Sequence, residues 1–197
     1  MFQPRVKLEF VFRYCSPQAG WKVFVDIDAS EEGRTGTWKG PGAEARRRKM
    51  QDDAAEVRRE FRALGVTVGG SRAGWLRERG LPSIHGDRDI MAFHQEKRAC
   101  VIAEVEGEST GQPEQKLYKA IGQLVMAASA GELSGWKQML VLVVYGGQIA
   151  KHLGRANALR KLGIPALVLS DDCKADQWPF SDALLPIGAA AIPTTTI

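Results

Sequence analysis

Met139–Tyr145 reads Met-Leu-Val-Leu-Val-Val-Tyr, a run with no charged residue and no glycine or proline. A strand of this kind has no polar side to show to water, so it must lie inside a sheet covered on both faces. A helical pattern over Ile149–Leu162 and a second short apolar run, Ala166–Leu169, follow it. Strand, helix and strand in that order imply a parallel crossover and hence a layered α/β fold. The chain has 197 residues, 44% hydrophobic and 25% charged, which is enough to bury a core without covalent staples. Its longest apolar runs, Met139–Tyr145 and Ile187–Ile192, are too short to cross a bilayer. The opening residues, Met1–Arg5, lack the apolar run and cleavage site of a secretory signal. Cys15, Cys100 and Cys173 are odd in number and far apart. That spacing speaks against a disulfide framework or a structural zinc site, and for a reducing, cytoplasmic location.

The remaining elements follow from periodicity. Lys7–Tyr14 and Trp21–Ile27 are rich in β-branched and aromatic residues around a Ser-Pro-Gln-Ala-Gly turn, so they read as a β-hairpin. Glu32–Gly42 holds four glycines and a proline and reads as a loop, with Trp38 between Arg34 and Lys39 either a stacking, phosphate-contacting residue or an anchor tucked against the hairpin. Met50, Ala54, Val57, Phe61 and Leu64 recur at helical spacing and predict a helix over Ala43–Leu64, stopped by Gly65. Val66–Val68 is a short strand, Arg72–Leu81 a short helix or loop, and Ile84–Phe93 a strand. His94–Arg98 is a polar turn leading to the apolar strand Ala99–Val105. Pro113 opens a second amphipathic helix built on Leu117, Ile121, Leu124, Val125 and Ala128, with Gly131 at its end. The expected organisation is a single domain. Residues 1–42 are an N-terminal hairpin and basic loop, residues 43–182 an α/β core, and residues 183–197 a tail.

Net charge is +4, and the basic residues concentrate between Arg34 and Arg79, including the run Arg46-Arg47-Arg48-Lys49. Such a surface is either a solvated helix face or a footprint for phosphate backbones. Acidic residues gather elsewhere. The segment Gly86-Asp87-Arg88-Asp89-Ile90-Met91-Ala92-Phe93, a turn, and Val101-Ile102-Ala103-Glu104-Val105-Glu106-Gly107 put a carboxylate at the start of one strand and two at the end of its partner. Glu104 and Glu106 are two residues apart and so share a face. Antiparallel pairing then brings Asp89, Glu104 and Glu106 to one edge of the sheet. Like charges about 4 Å apart repel by several kcal/mol at a surface-like dielectric, so the cluster calls for a proton, a basic side chain or a divalent cation. An all-oxygen donor set suits Mg²⁺ or Mn²⁺.

At these residues the sequence resembles the PD-(D/E)XK nuclease superfamily, whose fold is that of type II restriction endonucleases. The family core runs α-β-β-β-α-β, which maps onto Ala43 through Tyr145. The resemblance implies a restriction-endonuclease-like mixed central sheet flanked by helices and a divalent-metal-dependent deoxyribonuclease. Asp89 matches the metal-binding aspartate, with Asp87 as an alternate on the same strand face and Arg88 in the place of the family's proline. Glu104-Val105-Glu106 matches the (D/E)-x-K half, so Glu104 and the Val105 carbonyl join Asp89 as metal ligands. Glu106 takes the lysine's place, which some restriction enzymes also show; it would ligate the metal or position water. Gln123 matches a glutamine on the following helix. Lys116 and Lys119 are candidates for a displaced lysine, although their helix face reads as solvated. Asp53, Glu56 and Glu60 are candidates for a first-helix acid. His85 shares the strand face of Asp87 and Asp89. The implied cofactor is Mg²⁺ or Mn²⁺ and the implied partner DNA, with RNA open; a symmetric dimer would suit cutting of both strands.

Two other readings compete. The glutamate in the lysine position fits a nuclease-fold DNA-binding protein without catalysis. Acids that merely end strands fit a structural or protein-interaction α/β domain.

Overall fold

Six segments with strand-like composition pair into one mixed sheet. The computed structural model describes residues 1–35, 40–108, 113–129, 133–146, 151–153, 157–172 and 176–177. Its strands are Lys22–Val25 (β1), Thr67–Val68 (β2), Ile90–His94 (β3), Ala99–Glu106 (β4), Lys137–Tyr145 (β5) and Ala166–Leu169 (β6). Across the sheet the order is β2-β1-β3-β4-β5-β6. β1 runs parallel to β2 and antiparallel to β3, β3 and β4 form an antiparallel hairpin, and β4, β5 and β6 are parallel.

Helices cover both faces. Gln3–Tyr14 (α1) and Ala43–Ala63 (α2) pack Val6, Phe10, Val57 and Phe61 against Val25, Ile90, Ala92, Val101 and Ala103 on one side. On the other, Arg72–Glu78 (α3) sets Trp75 and Leu76 against Phe24, Met91, Phe93 and Ile102. Pro113–Ser129 (α4) and Asn157–Lys161 (α5) cover β5 and β6 there through Leu117, Leu124 and Leu159. Val141–Val144 in β5 are fully buried between β4 and β6, as an uncharged strand requires. Among the described residues no helix is long and apolar enough to cross a membrane.

The N-terminal hairpin expected from the sequence is not formed. Gln3–Tyr14 is a helix with Pro4 in its first turn, where a missing N–H costs nothing. Leu8, Phe10 and Phe12 do alternate, but Phe12 is left 57% exposed, whereas Val6, Lys7, Phe10 and Val11 are buried at helical spacing. β1 is no appendage either, since it lies inside the sheet between β2 and β3. The strand expected over Ile84–Phe93 begins only at Ile90, because Gly86 turns the chain at φ +79°. Helix α2 ends as its pattern dictates, with Gly65 at φ +80° relieving the left-handed strain. Trp38, Gly131, Cys173 and the tail from residue 178 lie outside the described residues.

Candidate active site

Asp89 is fixed by three elements at once. Its backbone carbonyl accepts from Asp26 N at 2.9 Å, extending the β1–β3 ladder by one rung. Its Oδ2 accepts from Val105 N at 2.7 Å, where the β3–β4 ladder has already stopped at Ile90 opposite Ala103. Its Oδ1 accepts from Lys7 Nζ at 2.8 Å. The N–H and carbonyl of a strand residue point to the same side. The Val105 carbonyl therefore faces the Asp89 side, past the end of the ladder.

Lys7 reaches this edge from α1 with a fully buried side chain. Its ammonium donates to Asp26 O at 2.6 Å, Glu31 Oε1 at 2.7 Å and Asp89 Oδ1 at 2.8 Å, using all three of its protons. Burial works against the charge, yet Asp89 and Glu31 outweigh it and hold the ammonium protonated above the ordinary lysine range. Glu31 sits in the turn after β1. Asp28 Oδ1 organises that turn by accepting from Ser30 N and Glu31 N at 2.7 and 2.9 Å. Burial, opposed by Lys7 and reinforced by Asp89, pushes the Glu31 carboxyl up to about 8.

Glu104 and Glu106 share the strand face of Cys100 and Ile102, the face that α3 and α4 cover. Glu104 Oε1 lies 3.7 Å from Arg88 Nη1, and Glu106 Oε2 lies 3.8 Å from Lys116 Nζ. Both contacts are ion pairs beyond hydrogen-bond reach. Among the described residues Glu31 Oε2, Glu104 Oε1 and Glu106 Oε2 are buried without a hydrogen-bond partner. Burial first, and then the Asp89 charge, push Glu104 up to about 8 against the pull of Arg88. Burial raises Glu106 to about 6, with Lys116 pulling the other way. Lys7 pairs with Glu31 and Asp89, Arg88 with Glu104, and Lys116 with Glu106, so every acid here has a basic neighbour, while Glu104 Oε1 and Glu106 Oε2 still lack a hydrogen bond among the described residues.

The other sequence candidates fall in several places. Asp87 projects into solvent with its side chain 94% exposed, 3.4 Å from Arg72. His85 is also exposed, outside any strand, so the shared pleat face expected for His85, Asp87 and Asp89 does not exist. Asp53, Glu56 and Glu60 do not join the site. They pair with Arg5 at 3.6, 3.2 and 2.6 Å across the α1–α2 contact. Gln123 is half-buried one turn beyond Lys119, and among the described residues no hydrogen bond links it to the carboxylates. Lys116, expected on a solvated face, leans over the end of β4 instead. Sequence reasoning missed Lys7, Glu31 and the burial of Arg88. Lys7 carried a signal: it interrupts the apolar stripe of Val6, Phe10 and Val11, which appears once that segment is read as a helix.

A metal can be weighed against this donor set. Among the described residues no three His, Cys, Asp or Glu side chains are grouped so as to hold an ion. The expected set needs only two, Asp89 and Glu104, with the Val105 carbonyl as the third donor. Mg²⁺ commonly takes one or two carboxylates and keeps several waters. The buried Glu104 oxygen, without a hydrogen-bond partner among the described residues, fits that demand. No protein-family model, curated protein or solved structure matches this chain.

Proposed function

We propose that this protein is a divalent-metal-dependent nuclease hydrolysing phosphodiester bonds of DNA at the Asp89–Glu104–Glu106 edge. One observation carries the reading: the half-buried Asp89 before β3 and the buried Glu104 and Glu106 at the end of β4 gather at one sheet edge, where Glu104 Oε1 and Glu106 Oε2 lack a hydrogen-bond partner among the described residues. The order of elements adds to it. α1, β1, β3, β4, α4 and β5 run helix-strand-strand-strand-helix-strand, with α2, β2 and α3 inserted after the first strand. The sequence mapping took α2 and β2 for the first helix and strand; α1 and β1 fill those places better, because β1 pairs directly with β3.

Within this reading Asp89, Glu104 and the Val105 carbonyl hold Mg²⁺ or Mn²⁺, which when bound supplies Lewis-acid polarisation and a water of lowered pKa. The chain's own residues do the rest. Lys7 fixes the Asp89 carboxylate and brings to the centre the ammonium that position 106 lacks. Val105 N holds the second Asp89 oxygen, so the carboxylate cannot rotate away. Glu106, steadied by Lys116, positions water, and Gln123 assists from α4. Exposed Arg47 and Arg59 on α2 are counter-charges for a phosphate backbone.

A second reading has an observation of its own. Each acid of the motif already faces a basic side chain, as in a nuclease fold that binds DNA without cutting it. Incubating the protein with plasmid and Mg²⁺ or Mn²⁺ separates the two. Nicking by the wild type that is lost in Glu104→Ala supports the nuclease. Salt-dependent binding without nicking supports the binding protein, and nicking undiminished in Glu104→Ala refutes the site.

A further inference from the structure

Arg88 directly precedes Asp89, in the place where the family's motif has proline, and its side chain is only 6% exposed. A Cβ on Gly86 would fall 3.0 to 3.2 Å from its Nη2, Nη1 and Cζ, so the guanidinium packs into space that only glycine leaves. Nη1 donates to the Asp87 carbonyl at 2.8 Å. The same nitrogen stops 3.7 Å from Glu104 Oε1. Among the described residues Arg88 Nε and Glu104 Oε1 are both buried without a hydrogen-bond partner.

A buried donor and a buried acceptor left unmade each cost free energy. The Asp87 carbonyl and the Gly86 turn hold the guanidinium back. Opposite charges would satisfy both at once, an anion against Arg88 and a cation against Glu104. A metal-bound phosphodiester is such a pair, and the planar guanidinium fork suits phosphate oxygens. The cavity beside Arg88, lined by His85, Ile102 and Gln138 among others, is about 40 Å³. It has room for water but not for a phosphate, so an anion reaches Arg88 only when the side chains around it give way.

We infer that Arg88 binds the scissile phosphodiester, donating from its guanidinium to a non-bridging oxygen beside the Glu104 carboxylate. The inference rests on the nuclease reading and names the group that grips its substrate. Backbone charges elsewhere hold the rest of the DNA, so Arg88 acts on turnover more than on affinity.

Two measurements test this on the full chain. In the first, duplex cleavage in saturating Mg²⁺ is compared for wild type, Arg88→Met and Arg88→Lys. The expected result is a kcat loss of about 100-fold or more in Arg88→Met, as for removal of one transition-state donor, with KM within about threefold and partial recovery in Arg88→Lys. In the second, the Arg88 Nε–H resonance, assigned by its absence from Arg88→Lys, is followed as a thymidine dinucleotide is added; it is expected to shift. Wild-type cleavage with kcat retained in Arg88→Met, or with a resonance that stays still, overturns the Arg88 assignment alone. A shift without any wild-type cleavage supports phosphodiester binding and overturns the hydrolytic reading. Neither shift nor cleavage overturns both. Should Arg88→Met fail to fold, the lysine variant and the resonance decide.

Discussion

Lys7 Nζ and Asp89 Oδ1 stand 2.8 Å apart although 82 residues separate them in the chain. The contact ties α1 to the start of β3 and places a buried ammonium on the carboxylate that the functional reading needs most. Because Glu31 shares the same ammonium, the three groups stand or fall as a unit.

Lys7→Met leaves the buried Glu31 and the half-buried Asp89 carboxylates without their shared cation. Loss of one partner from a buried ion pair costs about 3–5 kcal/mol, and urea denaturation of the variant is expected to show a loss in that range. Adding Glu31→Gln removes one of the stranded charges and is expected to return about half of it. A loss under about 1 kcal/mol would mean the buried pair carries little.

Glu104 links stability to pH. Its folded-state carboxyl is raised from 4.5 to about 8, so between those values the folded protein keeps a proton that the unfolded chain has released. Metal-free stability is therefore fullest below about pH 4.5 as far as this group is concerned, and it declines as pH rises toward 8. Glu104→Gln mimics the protonated acid. It is expected to exceed the wild type by roughly 2 kcal/mol at high pH, with the gap closing in acid. Melting curves across pH check this, and a gap that widens in acid contradicts it.

Gly107 follows the last residue of β4 and touches the chain's first residues. A Cβ there would lie 2.7 and 2.8 Å from Gln3 N and Cα, both backbone atoms that cannot swing aside. Gly107→Ala is expected to destabilise by about 1–3 kcal/mol and to disturb the neighbouring Glu106. Gly122→Ala, on the exposed side of α4 with nothing within 4 Å, serves as the control. It is expected to stabilise by roughly 0.5–1 kcal/mol. Thermal unfolding of the two variants reads both signs.

Glu60 hydrogen-bonds Arg5 rather than the site. Glu60→Gln is expected to leave plasmid cleavage within about twofold of wild type and to cost no more than about 1 kcal/mol of stability. A large loss of cleavage with normal stability would return the α2 acids to the active centre.

The β3–β4 hairpin was legible because its pattern is local: two apolar runs, a polar turn, and acids at one end. Helices α2 and α4 were legible for the same reason, each carrying a single apolar stripe. Helix α1 was not. Leu8, Phe10, Phe12 and Tyr14 alternate as a strand would, and only the burial of Lys7 and Val11 shows which period governs. The place of β1 was also hidden, because Val25 pairs with Ile90 across a long insertion that no local pattern records. The three motif acids could be named from sequence, but their charge partners could not. Lys7, Arg88 and Lys116 reach them from three different elements, and a lysine read as solvated gives no hint of an ion pair.

The central claim, that Asp89 and Glu104 converge to hold a divalent cation, is tested most directly by calorimetric titration of the metal-free protein with Mn²⁺. The account predicts saturable binding at one site in the wild type, abolished in Asp89→Asn and in Glu104→Gln while both variants remain folded. An absence of binding heat in the wild type, or binding of equal strength in the two variants, would contradict it.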